Sequence, residues 1–390
     1  MSKLLGREVS IVEAVRTPVG RGHKEKGYYR DLHPNALLGS VYAELFERTK
    51  LDPMLVGDVI NGCVQQYGEQ SFNVARNAWL QAGLPYEVPS TTLDRQCGSA
   101  QQAVNFAASQ IATGVHDVAI GSGVESMSHL PMFIGRQLEE FVGSPYTPEL
   151  FAHYNLVDQG ISAELIAEKW GITREDVDGV GFRSQENATR AADEGRFDRE
   201  IVPMHVNGDV YTRDQGIRPG TTMEALAELK PVFKEDGVIT AGNSSQISDG
   251  AAGLLLCASE KCDELGLKPR AVIVDQFIVG VDPILMLTGP IPATRKILER
   301  NGLKIDDIDL FEVNEAFASV ISAWEQELEP DRDRVNVNGG AIALGHPLGS
   351  TGARLLTTIL HELERTDKEL GLVTMCCGGG LGTATLIRRV

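Results

Sequence analysis

Two cysteines close to glycines are the side chains of this sequence best placed for covalent chemistry. Cys97 lies in Gln-Cys-Gly-Ser-Ala, between a short predicted strand and an Ala-rich segment of helical pattern. At such a junction, free N–H groups and the helix dipole favour an anion, which lowers the pKa of a thiol and raises its reactivity. The pattern predicts a nucleophile at Cys97, whereas residue statistics favour an inert buried cysteine.

The second cysteine, Cys376, begins the run Cys-Cys-Gly-Gly-Gly-Leu-Gly. Consecutive glycines expose backbone N–H groups that can bind an oxyanion. The run is no dinucleotide fingerprint, because no Gly-x-Gly-x-x-Gly begins a helix and residues 383–387 predict a terminal strand. Its neighbour Cys377 is predicted to be a small side chain that packs behind the glycines.

A histidine and an asparagine complete the set of candidate site residues. His346 lies in Gly-His-Pro-Leu-Gly, where Pro347 restricts it to an extended backbone and directs its imidazole out of the turn. This suits a catalytic base, and a hydrogen-bonded core histidine is the alternative. Asn314 follows a predicted strand over 310–313, and it could instead cap the helix that runs to residue 327.

The elements that must position these residues follow one order twice: strand, reactive residue, helix, strand, glycine-rich turn. The first set is a strand at 91–95, a helix from 97 to about 114 and a strand at 118–121; the second is a strand at 335–338, a helix at 353–365 and a strand at 372–375. This order predicts a tandem duplication of one α/β domain.

Between the two halves, residues 127–247 are richer in charge and proline, with two clear helical patterns at 162–169 and 177–194. We interpret this stretch as an inserted loop domain. The predicted domains are therefore an N-terminal core half at 1–126 that also includes 248–258, the insert at 127–247, and a C-terminal core half at 259–390.

Composition limits the possible functions. A net charge of −18 opposes binding to nucleic acid or anionic lipid. The sequence contains no run of eighteen apolar residues, so it predicts no membrane span. The first ten residues show no leader pattern, and we therefore expect a cytoplasmic protein. The six cysteines have no paired spacing, which predicts reduced thiols and no metal site.

Taken together, four segments resemble the active-site segments of the thiolases: Asp-Arg-Gln-Cys-Gly-Ser-Ala around Cys97, Asn-Glu-Ala-Phe from Asn314, Gly-His-Pro-Leu-Gly around His346, and Cys-Cys-Gly-Gly-Gly from Cys376. Residues 16–20, 73–76 and 240–245 also match. The resemblance covers nearly the whole chain in order. It implies a thiolase-like, duplicated five-layered α-β-α-β-α core of two similar halves, with an inserted loop domain that binds CoA.

The resemblance also implies a role for each site residue. Cys97 would be the nucleophile that takes up the acyl group. His346 would activate it and, with Asn314, form an oxyanion hole for the thioester enolate. Cys376 would move the proton on the acetyl carbon, and the N–H groups of Cys97 and Gly378 would form a second oxyanion hole.

For CoA, the resemblance implies that Ser245 faces the pantetheine arm and that Arg218 meets the adenine and phosphate end. CoA would be a co-substrate, with no permanently bound cofactor and no metal. The expected partners are CoA and acyl-CoA thioesters, in a homodimer or homotetramer.

The implied reaction is CoA-dependent thiolytic cleavage of a 3-ketoacyl-CoA to acetyl-CoA and a shortened acyl-CoA, reversible as a Claisen condensation. Gln159 stands where short-chain biosynthetic members often have Met, and Ala100 where many have Gly, which favours the degradative branch. The alternatives are a biosynthetic acetoacetyl-CoA thiolase, a ketoacyl synthase and a non-catalytic thiolase-like protein that binds acyl-CoA or lipid. The second cysteine disfavours the ketoacyl synthase.

Overall fold

The computed structural model of the protein describes residues 6–390. Residues 1–5, on which the expectation of no leader partly rests, lie outside this part of the chain. The strands are β1 Val9–Arg16, β2 Gly20–Arg21, β3 Asp58–Gly62, β4 Ser90–Leu93, β5 Val118–Ser126, β6 Met204–Val206, β7 Asp209–Tyr211, β8 Ser248–Ala258, β9 Ala271–Gly280, β10 Leu310–Val313, β11 Leu370–Cys377 and β12 Leu381–Arg389.

The helices are α1 Pro34–Thr49, α2 Val74–Gln81, α3 Ser99–Ala112, α4 Ile134–Gln137, α5 Glu139–Val142, α6 Pro148–His153, α7 Gln159–Trp170, α8 Arg174–Asp193, α9 Met223–Ala227, α10 Pro290–Asn301, α11 Ala318–Leu328, α12 Ala341–Leu344 and α13 Thr351–Thr366. None of the helices within 6–390 combines the length and apolar character needed to cross a membrane.

The strand order repeats in the two halves of the chain. In the first half, β4, β3 and β5 are parallel neighbours, followed by β8 and β1 as antiparallel strands. In the second half, β10 and β11 are parallel, followed by β12 and β9 as antiparallel strands. A short pairing between β1 and β9 joins the halves. The predicted duplication is confirmed by this shared topology.

Five layers follow from where the helices pack. Both α3 and α13 contact strands of both halves, so they lie in the middle, while α1 covers only the first half and α10 only the second. The two central helices approach closely at Gly352, where a Cβ would lie 2.3 Å from the backbone nitrogen of Gln101. Only glycine fits at this crossing, which brings the N-termini of α3 and α13 together.

The prediction of a strand at 335–338 is wrong, because only Val335 of these residues forms a β-bridge, and its partner is Phe311 of β10. Asn336 turns the chain with a φ of 48°. Its side-chain amide replaces the missing strand: Oδ1 accepts the Val313 N–H at 2.8 Å and Nδ2 donates to the Val313 carbonyl at 2.9 Å. A side chain thus satisfies the edge of β10 and leaves the following residues free to form a loop.

The substitution Asn336→Gly tests this role. Glycine tolerates the positive φ, so the change removes the amide while avoiding backbone strain. We expect the free energy of unfolding to fall by about 3 kcal/mol, because two buried backbone groups of Val313 lose their partners. Urea denaturation measures it. Asn207→Gly is the matched control, since Asn207 also has a positive φ of 53° but is exposed; equal losses in both variants would contradict the prediction.

Candidate active site

Cys97 lies at the tight turn between β4 and α3, and only 4% of its surface is exposed. Gln96 holds a positive φ of 50° there, and Gly98 caps the helix that begins at Ser99. The backbone N–H of Gly378 donates a hydrogen bond to the Cys97 thiol. This contact brings the glycine run of the second half directly onto the cysteine of the first.

The prediction of a lowered thiol pKa is wrong. Burial raises the pKa of Cys97 to about 12, and the N–H groups of Gly378 and of Cys97 itself offset this only in part. The cysteine also precedes the helix by two residues, where the effect of the dipole has weakened. The resting side chain is therefore a neutral thiol, and it needs a base in order to attack.

The other two cysteines of the site differ in their surroundings. Cys376 is completely buried at the end of β11, and burial together with the nearby Cys97 raises its pKa well above the ordinary value. Cys377 faces Gly98 instead, whose N–H bonds its sulfur. A Cβ at Gly98 would lie 2.6 Å from that sulfur, so glycine is required. The contact agrees with a packing role for Cys377.

His346 is held in one tautomer. Its Nδ1 lies 2.6 Å from Thr351 Oγ1, whose own proton is donated to the Pro347 carbonyl at 2.8 Å. Because the hydroxyl proton is used, Oγ1 must accept, and Nδ1 carries the imidazole hydrogen. Nε2 therefore presents a lone pair. Burial and the Arg354 charge lower the pKa of His346 to about 3, so the imidazole is a neutral base at physiological pH.

Asn314 reaches this base directly. It follows β10, its backbone N–H donates to the Thr374 carbonyl on β11 at 3.0 Å, and its Nδ2 lies 3.3 Å from His346 Nε2. Its Oδ1 is buried and has no hydrogen-bond partner in the described part of the chain. The alternative of a helix cap is wrong, because α11 begins at Ala318 with Phe317 as its N-cap.

Two buried glutamates that the sequence analysis did not identify hold the loops of the site. Glu125 accepts N–H bonds from Val64, Gln65 and Gly349 at 2.8–3.0 Å, and so joins the turn after β3 to the His346 loop. Burial raises the pKa of this carboxyl, and those N–H donors oppose the rise. A lone charged residue inside a fully buried strand favours a positioning role, but the sequence predicted this strand only as far as residue 121.

The second carboxylate is Glu315, which stands next to Asn314 in the Asn-Glu-Ala-Phe segment. It accepts hydrogen bonds from the Ser184 hydroxyl at 2.6 Å, the Asn336 amide at 3.0 Å and the Ile342 N–H at 3.1 Å. It fixes the loop that leads to His346 against helix α8.

The two residues expected to bind CoA lie apart. Ser245 is half-buried, and its N–H donates to the Ala316 carbonyl at 3.0 Å, two residues from Asn314. Arg218 is exposed and lines a cleft of about 400 Å³ together with Arg190 and Phe182 of α8. The structure places Ser245 beside the site and Arg218 on the surface of the insert.

The substitution Thr351→Val tests the tautomer of His346. Valine keeps the shape of the side chain but removes the acceptor of Nδ1–H, and we expect kcat for acyl transfer to fall about 30-fold because the base loses its orientation. Thr351→Ser should restore most of the activity. Thr357→Val is the control, since Thr357 makes the same hydroxyl bond to the residue four before it on α13 but contacts no imidazole. Equal losses in the two valine variants would refute the assignment.

Comparison with known proteins agrees with this geometry. The thiolase N-terminal domain matches residues 9–260, and the thiolase C-terminal domain matches residues 267–389. A steroid 3-ketoacyl-CoA thiolase of Mycobacterium tuberculosis is 45% identical, over 98% of this chain and 94% of its own length. A 3-ketoacyl-CoA thiolase of Bacillus subtilis is 42% identical, over 97% and 98%. The crystal structure of the Bacillus anthracis acetyl-CoA acetyltransferase superposes with a TM-score of 0.90 at 39% identity, over the whole of both chains. The chain therefore belongs to the thiolase family of acyltransferases.

Proposed function

We propose that this protein cleaves 3-ketoacyl-CoA with CoA, giving acetyl-CoA and a shortened acyl-CoA through an acyl-enzyme on Cys97. The observation that carries the proposal is a pair of buried, protonated thiols, Cys97 and Cys376, in a site with a neutral imidazole base. Cleavage of a carbon–carbon bond next to a ketone needs these three groups: a soft nucleophile, a base and an acid.

In the first step, Cys97 gives its proton to His346 Nε2 and its sulfur bonds to the keto carbon. The bond between that carbon and the acetyl carbon breaks, and the electron pair moves into the acetyl-CoA enolate. The imidazolium and the Asn314 amide donate hydrogen bonds to the enolate oxygen. The N–H groups of Cys97 and Gly378 stabilise the oxygen on the attacked carbon.

In the second step, Cys376 gives its proton to the enolate carbon, which releases acetyl-CoA and leaves a thiolate. This thiolate takes the proton of the incoming CoA thiol, whose sulfur attacks the acyl-enzyme. The acyl group leaves as a new thioester, and Cys97 recovers its proton from His346. The two thiols have separate tasks, because Cys97 is acylated when the enolate needs a proton.

CoA binding is proposed at Ser245 and Arg218. Ser245 is supported by its contact with the segment after Asn314. The cleft at Arg218 also contains Arg190, and the acidic Glu186 and Asp193 line it as well, so the phosphates would bind at the two arginines. Phosphate groups need such local positive charge where the overall field repels anions.

For the acyl chain, we propose a degradative enzyme that accepts chains longer than four carbons. Support comes from relatives that are named as 3-ketoacyl-CoA thiolases, one of them a steroid enzyme. The second candidate is biosynthetic condensation of acetyl-CoA, which is favoured by the likeness to acetyl-CoA acetyltransferases of Bacillus anthracis and Syntrophomonas wolfei.

Thiolysis of 3-ketoacyl-CoAs from four carbons upward, with Cys97→Ala and Cys376→Ser beside the wild type, tests the proposal. We expect turnover to extend beyond four carbons and to fall at least about 1000-fold in both variants, because each removes a group that the chemistry requires. Exchange of an acyl group between acyl-CoA and labelled CoA needs no enolate. It should be lost in Cys97→Ala, whereas Cys376→Ser should keep exchange at a reduced rate, because only the base for the CoA thiol is missing. Turnover confined to four carbons would favour the biosynthetic candidate, and none at any length would favour a non-catalytic binding protein.

We propose that the protein works in the cytoplasm. All six cysteines lie in the described part of the chain, and each is buried and unpaired there. Thiols, including the two that the proposed reaction uses, persist in the reduced state in that compartment.

We also propose a homodimer or a pair of dimers. Strand β4 ends the sheet in the described structure, and beside it Ile60, Leu93 and Phe106 line an apolar surface on which Phe106 is 45% exposed. An open strand edge beside an apolar patch favours pairing with a second copy.

Light scattering should give two or four times the mass of the chain, and Phe106→Glu should lower it by placing a charge in the interface. Phe141→Glu is the control, because Phe141 is 86% exposed on α5 and should leave the mass unchanged. The mass of a single chain for the wild type would exclude the assembly.

A further inference from the structure

Two glutamine side chains meet above the glycine that bonds the nucleophile. A Cβ built on Gly378 would lie 3.0 Å from Gln159 Nε2 and 3.1 Å from Gln96 Oε1. Both amides therefore reach the same point over Gly378, whose N–H donates to the Cys97 thiol. They come from different parts of the chain, since Gln96 precedes Cys97 and Gln159 is the first residue of α7.

Both groups lack the partners that an amide normally has. Within residues 6–390, no donor bonds Gln96 Oε1, and the Gln159 amide makes no hydrogen bond. Both residues are half-buried rather than free in solvent. Both amides therefore keep free hydrogen-bonding capacity beside the reactive thiol.

Nearby contacts restrain both residues to different degrees. The backbone N–H of Gln96 and its Nε2 both donate to the Asp94 carboxylate, at 2.6 and 3.3 Å, so Oε1 is the atom left to face Gly378. The backbone at Gln159 is restrained by its neighbour Gly160, which lies against the ring of Phe233, and that ring packs edge-on against Phe317 at 5.8 Å between ring centres. The pair presents an acceptor on Gln96, which Asp94 holds, and a donor on Gln159.

Cys97 also borders an apolar cluster. Cys97 belongs to the same buried cluster as Met127 and Leu348, with Met132 packed against it. An acyl group attached to Cys97 would therefore have both this apolar cluster and the glutamine pair in its surroundings. A plain hydrocarbon chain matches only the first of these surfaces.

We propose that Gln96 and Gln159 form a hydroxyl-binding subsite, which selects acyl groups that carry an oxygen substituent close to the thioester. The inference rests on the proposed function, because it needs an acyl group on Cys97 with its carbonyl oxygen at the Gly378 N–H. A hydroxyl is the matching group, since it accepts a bond from Gln159 Nε2 while donating one to Gln96 Oε1. Each amide would act as a specificity residue and take no part in bond breaking.

Acyl exchange tests the subsite without the proton transfer at the acetyl carbon. The Cys97 sulfur attacks the thioester, the bond to CoA breaks and CoA leaves with the proton; labelled CoA then reverses the step. The probes are butanoyl-CoA and the two enantiomers of 3-hydroxybutanoyl-CoA, which differ by one hydroxyl. We expect kcat/KM for the better enantiomer to exceed that for butanoyl-CoA about 10-fold, as two neutral hydrogen bonds provide.

The variants Gln159→Met and Gln96→Met keep the length of each side chain but remove its amide. Either should reduce the preference for the hydroxylated probe to about 2-fold or less. Gln326→Met, an exposed glutamine on α11, is the matched control and should keep the preference. Gln159→Leu replaces Gln159→Met if thermal unfolding shows that the methionine variant is not folded.

The outcomes separate this inference from the proposed function. Exchange of both probes at equal rates by the wild type would overturn the subsite while leaving the acyltransferase intact. A preference that persists in both methionine variants would also overturn it, as would an equal loss for both probes, which would place the amides on the CoA portion shared by the two. No exchange of either probe would refute the proposed function, and the subsite with it.

Discussion

The hydrogen bond from His346 Nδ1 to Thr351 Oγ1 is the interaction on which the site depends. It works only because the threonine hydroxyl has already donated its proton to Pro347, which leaves the oxygen as an acceptor. The tautomer of the base is thus set by the first turn of α13. Since α13 contacts strands of both halves and touches α3 through Gly352, the same helix that orients the base also fixes its position relative to the nucleophile's helix.

Burial gives the site its acid–base properties. The surroundings that raise the pKa of Cys97 and Cys376 also lower that of His346, because a low dielectric disfavours every charged form. The resting site therefore contains two thiols and a neutral imidazole. In the proposed reaction this is useful, since Cys376 must still hold a proton when the enolate appears. A permanently ionised pair of thiolates could not supply this proton. The raised pKa makes the resting thiols less reactive, but it preserves the proton that Cys376 gives up in the second half of the cycle.

The sequence predicted which residues are candidates for the site better than it predicted their pKa values. Local motifs made Cys97, Asn314, His346 and Cys376 the candidate residues, and the duplicated order of elements predicted the fold. The expected low pKa of Cys97 failed because a short window of sequence shows the start of a helix but not the depth at which it is buried. The prediction of a strand at 335–338 failed for a related reason. The alternating pattern was present, but the side chain of Asn336 makes the hydrogen bonds to β10 that a neighbouring strand would have made.

The two glutamates that hold the loops were missed because sequence analysis treats a charged residue as a solvated one unless a partner is evident. Glu125 and Glu315 are bonded mainly by backbone N–H groups and by side chains far along the chain. Such partners become neighbours only after folding. Long-range hydrogen bonds of this kind leave no periodic signal in the sequence, whereas the turn residues around the cysteines and the histidine do.

The duplication explains why the site is built from unlike residues at like positions. Cys97 precedes α3 in the first half and His346 precedes α13 in the second, so the nucleophile and the base occupy equivalent turns. The ends of β5 and β11 are also equivalent, and they carry Glu125 and Cys376. One strand end holds loops together with a carboxylate, while the other presents a thiol. Two copies of one fold thus face each other across α3 and α13, and the chemistry arises from the differences between them.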